Sequence, residues 1–179
     1  MKINLRVVSL LILLLYGSHG KSNDSKTFRS ATGHFTFTCP AAWQLLEDSR
    51  KTFEIINFPK SEMLKGIGLS KRGASIIVVR APDNITSIED WLAKEATHFD
   101  TKHQHVIDPS HLSRSSCKRL TKVEWDSEVG SNTFTHQTSL YCQTEGQLFR
   151  IELSNWSDDP QEKQLQGALL GIATTFKSW

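Results

Sequence analysis

Apolar and polar residues alternate with period two along several stretches of the chain. In "HFTFTCPAAW", Phe35, Phe37 and Cys39 alternate with threonines up to Pro40, the pattern of a half-buried strand that proline ends. "TFEIINFPK" (52–60) reads as a second strand stopped by a proline. "GASIIVVRAP" (73–82) carries an unbroken Ile-Ile-Val-Val run between Gly and Pro, which fits a strand covered on both faces. Four further stretches predict strands: 103–107, 117–128, 133–144 and 147–156, with "EVGSN" and "TEG" as turns.

Two segments switch to a helical period. Ile88, Trp91, Leu92, Ala96 and Phe99 recur on one stripe, predicting a helix over 87–99. Thr86 is its expected cap, with Glu89 three residues on. Leu165, Leu169, Ile172, Ala173 and Phe176 mark a second helix over 160–179, opened by Asp158 or Asp159 and by Pro160. Gly167 and Gly171 inside that helix each cost about 1 kcal/mol against alanine, and close packing on a sheet is the expected reason. Six or seven strands in short hairpins, one helix inserted and one at the end, describe an α+β fold. Its centre is a mostly antiparallel sheet covered by helices.

The three cysteines sharpen this picture. With the hairpin turn near Gly130, counting outwards sets Cys117 opposite Cys142, Trp125 opposite Phe134 and Val123 opposite His136. A Cys117–Cys142 disulfide is one expectation and two packed free thiols the other. Cys39, in a strand and followed by proline, reads as a buried, inert thiol.

The chain opens with Lys2 and Arg6 around an apolar run from Val7 to Tyr16, followed by Gly17, Ser18 and Gly20. That is the layout of a secretory signal peptide over 1–20, with cleavage expected near Gly20. Its apolar run falls short of the about 20 residues that span a bilayer, so no stable membrane insertion is expected after cleavage. Residues 21–33 are polar and aperiodic and read as a flexible tether, leaving 34–179 as one domain. The destination expected is the periplasm or the exterior, where a disulfide is permitted. Sequons stand at Asn23, Asn84 and Asn155, which a eukaryotic secretory pathway would glycosylate.

Charge removes one class of function. Lys+Arg number 21 against 19 Asp+Glu, and removing Lys2 and Arg6 leaves 19 of each. A neutral chain lacks the basic stripe of a nucleic-acid binder, and the clusters at 69–73 and 113–120 are small. Catalytic signatures are missing too. "GLSKRG" places its second glycine one residue late for a nucleophile elbow, and Lys71 stands where a dinucleotide fingerprint needs glycine. The densest candidate chemistry is "THFDTKHQHVIDPSH" (97–111). His103 and His105, two apart on a strand, would share a face and could begin a Zn or Cu site, with His98, His111, Asp100 or Asp108 adding ligands. A solvated polar edge explains the same residues. Trp43, Trp156 and Trp179 fall at element ends, either closing the rims of the core or forming a partner patch.

From "FTFTCPAAW" onward the order of landmarks resembles the PsbP-like family. Phe35, Phe37, Pro40 and Trp43 open it, and "SIEDWLAKEATHF" follows two further strands. A long meander then leads to "LFRIELSNWSDD", and an amphipathic "LLGIATTFKSW" closes the chain. The resemblance covers about residues 33–179. It implies a single α/β/α-sandwich domain. The family includes photosystem II extrinsic proteins, Ran-binding Mog-type proteins, bacterial envelope proteins and chaperones for type VI secretion effectors. What these share is binding rather than catalysis, and no catalytic motif carries over. The simple export signal departs from the photosynthetic branch, and with it from calcium or manganese binding. The reading is an exported, non-catalytic accessory protein, with no cofactor and an unidentified envelope or secreted protein as partner. A His103/His105 metal-binding protein is the alternative, and an unrecognised hydrolase a third.

Overall fold

The computed structural model describes residues 24–49, 52–64, 69–95, 104–107, 114–130 and 133–179. Among them are strands β1 (Ser25–Ser30), β2 (Phe35–Pro40), β3 (Gln44–Asp48), β4 (Phe53–Ile56) and β5 (Ser75–Arg80). Helix α1 (Ile88–Glu95) follows, then β6 (Gln104–Ile107), β7 (Arg119–Gly130), β8 (Thr133–Gln143) and β9 (Leu148–Trp156). Helix α2 (Glu162–Thr175) and the short β10 (Lys177–Ser178) end the chain. Seven strands form one antiparallel sheet in the order β3-β4-β5-β9-β8-β7-β6, and β1-β2-β10 form a second, smaller one. The larger sheet is the expected antiparallel one with one exchange: β3, not foreseen, stands at its edge, while the expected strand β2 belongs to the smaller sheet, which was not foreseen.

The main core lies on one side of the large sheet. Phe53, Ile55, Ile76, Val78, Leu120, Leu140, Phe149, Ile151 and Leu153 face Phe28, Phe35 and Phe37 of the small sheet and Leu165, Leu169, Ile172 and Phe176 of the α2 region. Phe35 touches four other rings, with Phe53, Phe149 and Phe176 at centroid separations of 5.3, 5.8 and 5.4 Å. The opposite side is covered by α1, whose Ile88, Trp91 and Leu92 pack on Val123, Trp125, Tyr141 and Leu148. This is a helix–sheet–helix sandwich with the small sheet sharing the α2 layer.

Several expectations are corrected. Residues 25–30, expected in a flexible tether, form β1, because Phe28 is buried at 4% exposure and stacks on Phe37. Strand β5 is covered on both faces as expected, though unequally: Ile76 and Val78 are fully buried in the main core, while Ile77 and Val79 are half-covered on the other face, where Val79 packs against the α1 cluster. The cap of α1 is Ser87, whose Oγ accepts from the Asp90 amide at 3.0 Å, rather than Thr86. The end of its expected span, 96–99, lies outside the described residues. Helix α2 stops at Thr175 instead of continuing to Trp179. Phe176 turns extended, buries its ring completely, and delivers Lys177 and Ser178 to pair with Thr36 and Phe35. A buried ring and a sheet pairing outweigh one more turn of helix. Gly167 and Gly171 do not pack closely on the sheet either, since a Cβ at either would meet nothing within 4 Å.

The β7–β8 register differs from the counted one. Gly130 pairs Thr133 across the turn, so Leu120, not Cys117, faces Cys142, with Trp125 facing Gln137 and Val123 facing Ser139. A slip of three residues also exchanges the faces of the sheet. Cys117 and Cys142 are nonetheless disulfide-bonded, Cα to Cα 5.3 Å. Cys117 lies just ahead of β7, where the Lys118 amide bonds to the Gln143 carbonyl at 2.7 Å.

Candidate functional site

Of the histidines expected to form a metal site, His98, His103 and His111 lie outside the described residues. His105 is exposed on the edge strand β6, opposite Lys122. Among the described residues no three His, Cys, Asp or Glu side chains are placed to hold a metal. Cys39 is buried, and loss of solvent pushes its thiol up to about 12, so it carries no thiolate at neutral pH. Asn155 of the third sequon is fully buried and donates from Nδ2 to the Trp156 carbonyl at 2.8 Å, which excludes a glycan on the folded chain. Asn84 is exposed, and Asn23 lies outside the described residues. The tryptophans divide: Trp43 is buried, Trp156 is half-buried with Nε1 donating to the Ser70 carbonyl at 2.6 Å, and Trp179 is 51% exposed beneath the Arg29 guanidinium.

Two clusters of charged side chains stand out among the described residues. The first lies under α1. Glu95 at the end of that helix accepts from Trp91 Nε1 at 2.7 Å, from Arg150 Nη1 at 2.7 Å and from the Tyr141 hydroxyl. Arg150 also reaches Glu152 at 3.5 Å, and Glu152 accepts from the Ser139 hydroxyl at 3.0 Å. Burial, and then the Glu95 bond and charge, raise the Tyr141 phenol above its ordinary range. Burial on its own would lower Arg150, but the Glu152 and Glu95 carboxylates beside it more than offset this, and the net shift is upward. Glu95 ties Trp91, Tyr141 and Arg150 together, so the cluster holds α1 on the sheet, with Arg150 Nε left at ion-pair distance from Glu152 and without a hydrogen bond.

The second cluster opens to solvent at the far end of the β7–β8 hairpin. On β7, Glu124, Asp126 and Glu128 alternate with Trp125 and Ser127, so the three carboxylates share one face. Register sets Asp126 against His136, which in turn faces Asn155 on β9, and sets Glu128 against Phe134. This face continues the α2 side of the sheet beyond the reach of the core. His136 Nδ1 lies 2.8 Å from Asp126 Oδ1, while Nε2 lies 3.8 Å from both Glu124 and Glu162, the latter at the start of α2. Lys122 pairs with Glu124 at 2.6 Å. Phe134 and Val129 remain 40% and 37% exposed beside these charges. An acidic, partly apolar surface mounted on paired strands is suited to holding another macromolecule.

Sequence reasoning passed over His136 and the acidic stripe. The signal was present as "EWDSE" (124–128), a period-two alternation of carboxylates around a tryptophan. It points outward only once the register puts Trp125 under α1.

No family profile matches the sequence. No curated protein matches it either. The fold does have solved counterparts. A protein from Bacteroides thetaiotaomicron VPI-5482 superposes with a TM-score of 0.53 at 12% identity, covering 86% of this chain, which spans only 48% of that one. Cyanobacterial PsbP (CyanoP) from Synechocystis sp. PCC 6803 gives 0.52 at 13% identity, covering 92% of this chain and 99% of its own. The Ran-binding protein Mog1p of Saccharomyces cerevisiae gives 0.53 at 13%, covering 88% and 96%. At such identities the likeness concerns architecture, and the chain has the PsbP/Mog1-like fold, an α+β sandwich around a mostly antiparallel sheet.

Proposed function

We propose that this chain is an exported, non-catalytic accessory protein that works through protein–protein contacts in the cell envelope. The observation that carries the reading is the hairpin end, where exposed Phe134 pairs with Glu128 next to Asp126, and exposed Val129 follows Glu128 at the turn. Aromatic contacts ringed by charge are the usual make-up of a protein recognition surface. Supporting it, the other polar cluster is consumed in anchoring α1, and the buried thiol lacks the environment of a nucleophile. The Cys117–Cys142 disulfide and the signal-like leader agree with an oxidising compartment. Among the described residues no helix is long and apolar enough to cross a membrane. The fold is shared with Mog1p, whose own name records Ran binding, which makes a binding role a natural use of the scaffold.

The test uses the full chain in its own host, with a photo-crosslinking amino acid at Phe134, and separately at Val106 and Trp179. The expected result is a product whose N-terminus starts near Lys21 and one discrete envelope adduct from Phe134. A chain that keeps its leader, or gives no adduct from any of the three positions, would contradict the proposal.

A further inference from the structure

We infer that the hairpin end receives an extended, basic segment of the partner, with lysine or arginine at alternate positions and an apolar residue at one end. The inference rests on the binding role proposed above and names the chemistry that fits the surface. Four carboxylates, Glu124, Asp126, Glu128 and Glu162, gather around Lys122 and His136, with His105 beyond Lys122 on the same face, in a chain whose formal net charge is +2. Such a local field repels phosphate backbones and draws in cationic chains.

Carboxylates two residues apart on one strand stand about 6.6 Å apart, the same repeat at which an extended chain presents alternate side chains. Three acidic positions in a row on β7 therefore match three alternate basic positions, whereas a run of adjacent lysines would aim every second one away. Polarity then fixes direction. Phe134 lies opposite Glu128 and Val129 follows at the turn, so the apolar contact sits at the hairpin end of the stripe. The ladder of β7 to β8, and of β8 to β9, holds the stripe in place before anything binds. Asp126 is further held by its bond to His136 at 2.8 Å. Ion pairs exposed to water contribute little one by one, so a preorganised row with an aromatic anchor is what makes the surface selective.

The test is a titration of the signal-free protein, disulfide intact, with a labelled peptide alternating lysine with threonine or valine, followed by fluorescence anisotropy at low and raised salt. A peptide of equal composition with its lysines contiguous, and one with glutamate for lysine, serve as comparisons. The alternating peptide is expected to bind, to weaken as salt rises, and to bind better than either comparison. Asp126→Lys with Glu128→Lys should weaken it roughly tenfold. Phe134→Ser should weaken it without changing the salt dependence. Asp83→Lys with Glu145→Lys, at exposed acids elsewhere, should lose far less, and thermal melts report that each variant is folded. No binding at low salt, equal affinity for the contiguous peptide, or equal loss in the control variant would overturn the inference. If the peptide fails while the Phe134 crosslink still yields its discrete adduct, the charge matching is wrong and the accessory role stands. If both fail, the role falls with it.

Discussion

The two faces of the seven-stranded sheet are covered by different means. Under α2 and the small sheet the contacts are almost wholly aromatic and aliphatic, with Phe35, Phe37, Phe53, Phe149 and Phe176 in mutual contact. Under α1 a smaller apolar cluster is joined by Arg150 held between Glu95 and Glu152. The apolar side gains free energy from area alone and tolerates no particular geometry of charge. The α1 side gains less from burial and depends on each charge keeping its partner, so it contributes position more than stability. The lesson is that the α2 side holds the domain together, and the α1 side decides where one helix sits.

The largest effect should follow from Phe149→Ala, which empties a fully buried site between Phe35 and Phe176 and should cost about 3–5 kcal/mol in urea unfolding. A loss near zero would show that the aromatic cluster is not the centre of cohesion. On the same side, Cys117→Ser with Cys142→Ser opens a link across a sequence separation of 25 and should cost about 3 kcal/mol. On the α1 side, Arg150→Met strands Glu95 and Glu152. Because those side chains keep 20% and 15% of their exposure, the expected loss is smaller, about 2 kcal/mol. Adding Glu95→Gln to Arg150→Met should recover part of that loss, and a strictly additive double mutant would mean that the pair is not coupled.

Two gentler changes sharpen the contrast. Gly167→Ala and Gly171→Ala should each stabilise by about 1 kcal/mol, since the added methyl meets open space and a helix interior favours alanine. A destabilisation would place something against that face of α2. The smallest effect belongs to Glu54, which lies on the α1 face beside Glu47 and Ile77. Burial, then repulsion from Glu47, raise its carboxyl above the ordinary value, partly offset by a bond from Ser75. A carboxyl raised on folding favours the fold when protonated. Its contribution is present below the ordinary carboxylate value and is lost as pH rises through the raised one. Glu54→Gln should therefore raise Tm slightly at neutral pH, with the gain disappearing in acid.

Much of the architecture was legible in the sequence, and the exceptions share a cause. Strands such as β2 and β9 alternate because one face meets a core, so period two shows them. Strand β1 shows one buried aromatic, Phe28, in a polar run, and β3 buries none of its residues, so neither produces an alternation. The end of α2 was hidden because Phe176 continues the helical stripe while its ring is needed by Phe35. The disulfide was anticipated through the wrong register. Cys117 reaches Cys142 from ahead of the strand, and a loop-length misjudgement of three residues exchanged the faces. That same exchange concealed the candidate site. In the counted register Trp125 and Phe134 share a face, whereas in the structure Trp125 goes under α1 and leaves Phe134 beside the acidic stripe. Whether a carboxylate row faces water or core is a property of register, which depends on the turn and not on the strand itself.

The proposed role depends on one end of one hairpin receiving a partner's basic chain. The most direct measurement is to titrate the isotope-labelled, signal-free protein with the alternating-lysine peptide and follow backbone amide shifts by NMR. The perturbed amides are expected to cluster at 124–129, 134–136 and 162, with little change along β3 or at the exposed face of α2. Shifts spread evenly over every exposed carboxylate, or concentrated away from the hairpin end, would contradict it.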